Sequence, residues 1–165
     1  MVDVGDPAPD FTLPLASGES YNDMEPFTLS DAVGSGPIVL AFYPAAFTQH
    51  CTDEMCSVRD SMDALKQLDA QVYGISVDLP FSQNIWIEEN GLNFPMLSDW
   101  DHEIIRDYDV VYEDMYGMVE AAQRSVFILD EAGTVAYKWL EEGDSPDFDE
   151  FADRLEKEVA SISQA

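Results

Sequence analysis

A chain of 165 residues with 46% hydrophobic and 12% aromatic content has the length of one domain, residues 1–165, and enough apolar surface to build a core, which excludes a disordered segment. Its 7 basic residues against 34 acidic ones leave a net charge of −27. Almost nothing is available to neutralise phosphates, so nucleic acid is excluded as a partner.

The opening "MVDVGDPAPDF" has no basic region followed by an apolar stretch, and no apolar run approaches the ~18 residues of a membrane span. A soluble, cytoplasmic protein with no membrane partner is expected. "VGDPAPDFTLPLASGES" reads as short strands and turns, and "FTLSDAV" as one helical turn near Ser30. Ile38 to Tyr43 is a continuous apolar run bounded by turn residues, the pattern of a central strand buried on both faces. Val58, Met62, Leu65 and Leu68 then recur at helical spacing, predicting a helix from about Phe47 to Leu68. "QVYGISVD" is the next strand, and a helix follows from Pro80 to Gly91. "FPMLSD" is a short strand before a helical turn around Ile104 to Tyr108, with His102 at its start. "SVFILDEAGTVAYKWL" predicts a hairpin turning at Glu131 to Gly133, and "SPDFDEFADRLEKEVASI" an amphipathic helix. Strands and helices in this order argue for an α/β fold with a mixed central sheet and helices on both faces.

The chain's two cysteines, Cys51 and Cys56, lie just after the central strand, at the start of the long helix. A tetrahedral zinc site needs four ligands and an iron–sulfur centre of this spacing needs four cysteines, while only these two and His50 and His102 are present. No metal is therefore expected. The four intervening residues are too many for a thioredoxin-type exchange motif. Two readings stay open: a pair of small buried hydrophobes, or a reactive thiol. Position favours the second, because free N–H groups and the dipole of a helix N-terminus stabilise a thiolate, so the Cys51 thiol is expected to ionise more readily than a free one. Thr48 and Glu54, three residues to either side, share its face of a helix, and Glu54 is placed to hold a cation. His50 reads as a solvated surface residue, Trp86 and Phe81 as core or interface, Trp139 as sheet packing, and Met115, Tyr116 and Met118 as an apolar cluster.

The stretch "YPAAFTQHCTDE" resembles the peroxiredoxin signature Pro-x-x-x-Thr-x-x-Cys, met here by Pro44, Thr48 and Cys51, with the usual glutamate at Glu54. The resemblance extends over "VGDPAPDFTL", "GISVD", "GLNFPMLSD" and "RSVFILDEAG", where Arg124 matches the family's active-site arginine. "PAAFT" and "NFPMLSD" are similar to the alkyl hydroperoxide reductase E-type branch, and the cysteine spacing to the bacterioferritin comigratory branch. The resemblance implies a thioredoxin-like fold and a thiol-dependent peroxidase for hydrogen peroxide and organic hydroperoxides, without a cofactor. Cys51 would become a sulfenic acid, Thr48 and Arg124 would hold the peroxide oxygens, and Pro44 would cover the sulfur. Cys56 would resolve the sulfenic acid, and a thioredoxin-like protein or small thiol would recycle the enzyme, as a homodimer. Residues five apart on a helix are separated by ~8.6 Å between Cα atoms and a disulfide spans at most ~7 Å, so the first turn must unwind before the cysteines can join. A redox sensor that passes oxidation to a client protein, or a redox-inert acidic binding module, would use the same scaffold.

The acidic residues are spread along the chain, which favours adaptation to a salt-rich cytoplasm over a patch for one basic partner. At 1 M salt the Debye length is ~3 Å and the self-repulsion of such a surface is screened. The melting temperature is accordingly expected to climb as KCl is raised from millimolar to molar; a curve independent of salt would show that the charge does not govern stability.

Overall fold

The computed structural model describes residues 1–117 and 120–164. Its centre is the expected apolar strand, β3 (Ile38–Phe42), every residue of which is buried. Alternation explains why: Ile38, Leu40 and Phe42 point into one apolar cluster, while Val39, Ala41 and Tyr43 point into the other. β3 pairs in parallel with β4 (Gln71–Ser76), which pairs in parallel with β5 (Met96–Ser98). On its other side β3 pairs antiparallel with β8 (Ser125–Leu129), and β8 with β9 (Val135–Leu140). β1 (Thr12–Ala16) and β2 (Glu25–Thr28) complete a seven-stranded mixed sheet in the order β2-β1-β5-β4-β3-β8-β9.

Helices cover both faces. The long helix α2 (Gln49–Gln67), α3 (Pro80–Asn90) and α5 (Phe148–Ser163) bury Met55, Val58, Met62, Leu65, Trp86 and Leu155 on one face. The short helices α1 (Leu29–Ala32) and α4 (Glu103–Asp107) lay Leu29, Ile104 and Ile105 on the other. Start and stop signals act as read from the sequence. Pro80 opens α3, whose end is Gly91 in the left-handed conformation, and the Asp147 carboxylate accepts the N–H groups of Asp149 and Glu150 to cap α5.

Two features depart from the sequence reading. Helix α2 begins at Gln49 rather than Phe47, because Phe47 has φ +69 and Thr48 is the extended N-cap. A two-stranded ribbon of β6 (Val111–Tyr112) and β7 (Ala121–Ala122) precedes β8; strands of two residues are too short to show alternation. Of the two aromatic residues read as core or interface, Trp86 is core, 1% exposed with its ring 5.0 Å from that of Tyr43, and Phe81 is exposed, which leaves it the interface reading. Trp139 packs on the sheet as expected, paired with Val126 and edge-on to Phe151.

Candidate active site

The loop from Tyr43 to Thr48 carries the chain from the end of β3 to the start of α2. It is pinned from the side: the Ala46 N–H donates to Asp78 Oδ2 at 2.8 Å, and that carboxylate also accepts from the Ser76 hydroxyl. Thr48 does not lie within the helix, so it meets Cys51 across the N-terminus rather than along a helical face. Its hydroxyl donates to the Ala45 carbonyl at 2.8 Å and makes no capping bond, which leaves its lone pairs as acceptors. Behind it, Thr52 Oγ1 donates to the Thr48 carbonyl, and Trp86 Nε1 donates to Thr52 Oγ1. The first turn of α2 is thereby tied to α3.

Cys51 Sγ accepts from Arg124 Nη1 at 3.4 Å. Arg124 is the last residue before β8 and is 4% exposed. The same Nη1 donates to Glu54 Oε1 at 2.6 Å, and Nε donates to Glu141 Oε2 at 3.0 Å. The guanidinium also lies over the Phe148 ring, 5.5 Å from its centroid. Glu54 is fully buried, and its Oε2 has no hydrogen-bond partner among the described residues. Pro44, Thr48, Cys51 and Arg124 line one cavity of about 330 Å³, together with His50, Tyr112, Met115, Tyr116, Glu141 and Ser145. Among the predicted site residues, two stand outside its wall. Glu54 backs Arg124 from behind, and Cys56 is half-buried on α2, packed against the core.

Electrostatics overturn one expectation. Burial pushes the Cys51 thiol up, more than Arg124 and the Ala45 backbone pull it down, and the Glu54 carboxylate adds to the rise. The helix N-terminus read from the sequence is real, but the sulfur beneath it is 1% exposed, and burial is the largest influence on its ionisation. Glu54 is likewise pushed up, to about 7, by burial and the Glu141 charge against the pull of Arg124. Arg124 itself is held more firmly protonated by Glu54 and Cys51.

Glu141 was not singled out in the sequence and belongs to the site. Nothing local marks "WLEEGD"; the position emerges only when hairpin pairing sets Leu140 opposite Ser125. His50, read as a solvated residue, is exposed but engaged: its Nδ1 lies 2.9 Å from Ser145 Oγ and its ring meets Phe148 edge-on. Met115 and Tyr116 line the cavity, and Met118 of that predicted cluster lies outside the described residues. No group of three or more potential metal ligands is found among the described residues, and none of the described helices is long and apolar enough to cross a membrane.

The AhpC/TSA family model matches residues 4–138. Peroxiredoxin Bcp of Escherichia coli (strain K12) is 36% identical over 135 residues, 81% of this chain and 82% of that protein. Alkyl hydroperoxide reductase E of Mycobacterium bovis is 32% identical over 138 residues, 83% of this chain and 84% of that one. The crystal structure of peroxidoxin BcpB from Mycobacterium tuberculosis superposes with a TM-score of 0.84 at 30% identity, covering 98% of this chain and 99% of that one. With the fold, the cysteine and the arginine arranged as described, the chain belongs to the AhpC/TSA family: it is a peroxiredoxin, a thiol-dependent peroxidase of thioredoxin-like fold.

Proposed function

We propose that Cys51 is the thiol that attacks the peroxide, with Thr48 and Arg124 positioning the substrate. The observation that carries this reading is the Arg124 contact to Sγ at 3.4 Å on the wall of a cavity that Thr48 also lines. The thiolate attacks the outer oxygen of ROOH, the O–O bond breaks, and Cys51 becomes a sulfenic acid while RO⁻ takes up a proton and leaves as ROH. Because the Thr48 hydroxyl proton is committed to Ala45, Thr48 Oγ accepts the peroxide O–H, and Arg124 donates to the oxygen on which charge develops. Pro44, buried beside the sulfur, limits access to it, and Glu54 holds the guanidinium in place.

Cys56 then resolves the sulfenic acid, forming a disulfide and water, and a thioredoxin-like protein or small thiol returns two electrons. Both cysteines lie on one continuous helix and are free thiols, so the step requires the first turn of α2 to unwind. Reduced protein mixed with one equivalent of hydrogen peroxide in concentrated KCl is expected to lose two thiols per peroxide, far faster than free cysteine does. Cys56→Ser should lose one and stop at the sulfenic acid. Thiol loss no faster than free cysteine in folded protein would sink the assignment of Cys51, and unchanged turnover of Cys56→Ser with a small-thiol reductant would sink that of Cys56.

The same reading takes the chain as one cytoplasmic domain in a salt-rich cell, working as a homodimer. Support for the dimer comes from Phe47, Leu79 and Trp100, on three loops at one end of the sheet, and Phe81 in the first turn of α3, all exposed. Asp78 joins those loops, taking the Ala46 N–H on its carboxylate and the Ser98 hydroxyl on its carbonyl. Sedimentation velocity at micromolar protein would return a monomer if this face has no such role.

A further inference from the structure

The reacting sulfur shares its cavity with a carboxylate. Glu141 is 16% exposed and is fixed from both sides: its N–H donates to the Arg124 carbonyl at 2.9 Å, and its own carbonyl accepts from Gln123 Nε2 at 3.0 Å. The backbone is thus clamped, and the side chain reaches Arg124 Nε from the cavity wall. Among the described residues Arg124 is the only lysine or arginine on that wall, and Glu54 and Glu141 both bond it before any substrate arrives. A second cavity adjoins the first, sharing Tyr112, Glu141 and Gly143 and adding Glu113 and Asp114. The rest of the wall is mixed: Tyr112, Met115 and Tyr116, the last 90% exposed, supply apolar surface beside Gln49, His50 and Ser145.

We propose that Glu141 is a specificity-determining residue that sets this site against negatively charged hydroperoxides, so that its substrates are neutral hydroperoxides with an apolar body. An apolar group gains contact with the tyrosines and methionine, whereas a carboxylate on the substrate meets a fixed like charge and finds the one guanidinium already shared. The effect is local. At contact range it survives salt that screens the rest of an acidic surface, because the Debye length at 1 M is ~3 Å only for charges in bulk solvent and pairs partly removed from water are screened much less.

The inference rests on Cys51 being the attacking thiol, and the test separates the two. Reduced protein in 1 M KCl at pH 8 is mixed with cumene hydroperoxide or with its para-carboxylate derivative, and the rate of thiol loss is followed for each. The protein is expected to react about tenfold faster with the neutral compound, the size of a like-charge penalty in a partly solvated site. In Glu141→Gln, whose amide oxygen still accepts from Arg124 Nε, the ratio should fall to about twofold or less. Glu142→Gln removes the same charge from an exposed neighbour and should keep the parent's ratio. Equal rates in the parent overturn the proposal whatever becomes of the variant, as does an unchanged ratio in folded Glu141→Gln. If both neutral-residue variants lose the discrimination, surface charge rather than Glu141 is responsible and the proposal also fails. Reaction of folded parent with neither compound removes the assignment of Cys51 itself.

Discussion

Replacing Arg124 with alanine is expected to lower the second-order rate of peroxide reduction by about 10²–10³-fold, the usual cost of removing a donor aimed at developing charge. Three groups lose their partner at once, since Arg124 bonds Cys51, Glu54 and Glu141. Stability falls as well. Breaking a buried pair by removing one member costs about 3–5 kcal/mol when the other stays charged. Glu54 can escape part of that cost by keeping its proton, so the loss in Arg124→Ala should be smaller at pH 5 than at pH 8. Arg124→Lys separates the two effects, because a lysine restores one positive charge without the planar fork that reaches sulfur and both carboxylates. It should recover most of the stability and little of the rate. Equal recovery of both would mean that charge, rather than the directed N–H groups, is what the site requires.

The second large effect is a pH dependence traceable to one side chain. Glu54 is fully buried and titrates at about 7 instead of its ordinary 4.5. An acid whose proton is held more tightly in the folded state contributes a stability that is present below its unfolded value and is lost as pH rises toward its folded one. The gap from 4.5 to about 7 corresponds to about 3 kcal/mol, at 1.36 kcal/mol per pH unit. Glu54→Gln keeps an oxygen for Arg124 Nη1 and has nothing to ionise. Relative to the parent, it should therefore gain stability progressively from pH 4.5 to 7 and hold the gain above that. Urea unfolding of both proteins at constant KCl, taken every half pH unit, isolates this slope from the other acids by difference. Parallel curves would show that Arg124 keeps Glu54 charged throughout. The same substitution leaves the guanidinium with one fewer anion to serve, so the Cys51 thiol should ionise at lower pH than in the parent.

Much of the fold could be read locally. β3 announced itself as an apolar run, Pro80 and Gly91 bracketed α3, and "SPDFDE" contained the aspartate that caps α5. Pro44, Thr48, Cys51 and Glu54 sit within eleven residues, so a motif could hold them together, and Arg124 was reachable because the strand after it fits the same family pattern. Glu141 is one of 34 acids and gains its meaning only from strand pairing and the irregularity between Ile128 and Leu129. The Cys51 thiol was misjudged for a related reason. A helix N-terminus is visible in a sequence, whereas the depth at which it is buried depends on what the rest of the chain lays over it. Phe47 shows the same limit, a non-glycine residue with φ +69 where glycine, asparagine or aspartate would have signalled the turn.

The tie between His50 and Ser145 gives the sulfur chemistry an outward sign. On the proposed route His50 occupies the turn that comes apart before Cys51 joins Cys56, and Ser145 belongs to the stretch between β9 and α5, whose first residue, Phe148, meets the Arg124 guanidinium. Unwinding that turn would cut the tether and withdraw the imidazole from the Phe148 ring. Under that proposal the state of one hidden atom would be displayed on the exterior, as a strap either moored or adrift, where another molecule could inspect it without ever entering the cavity.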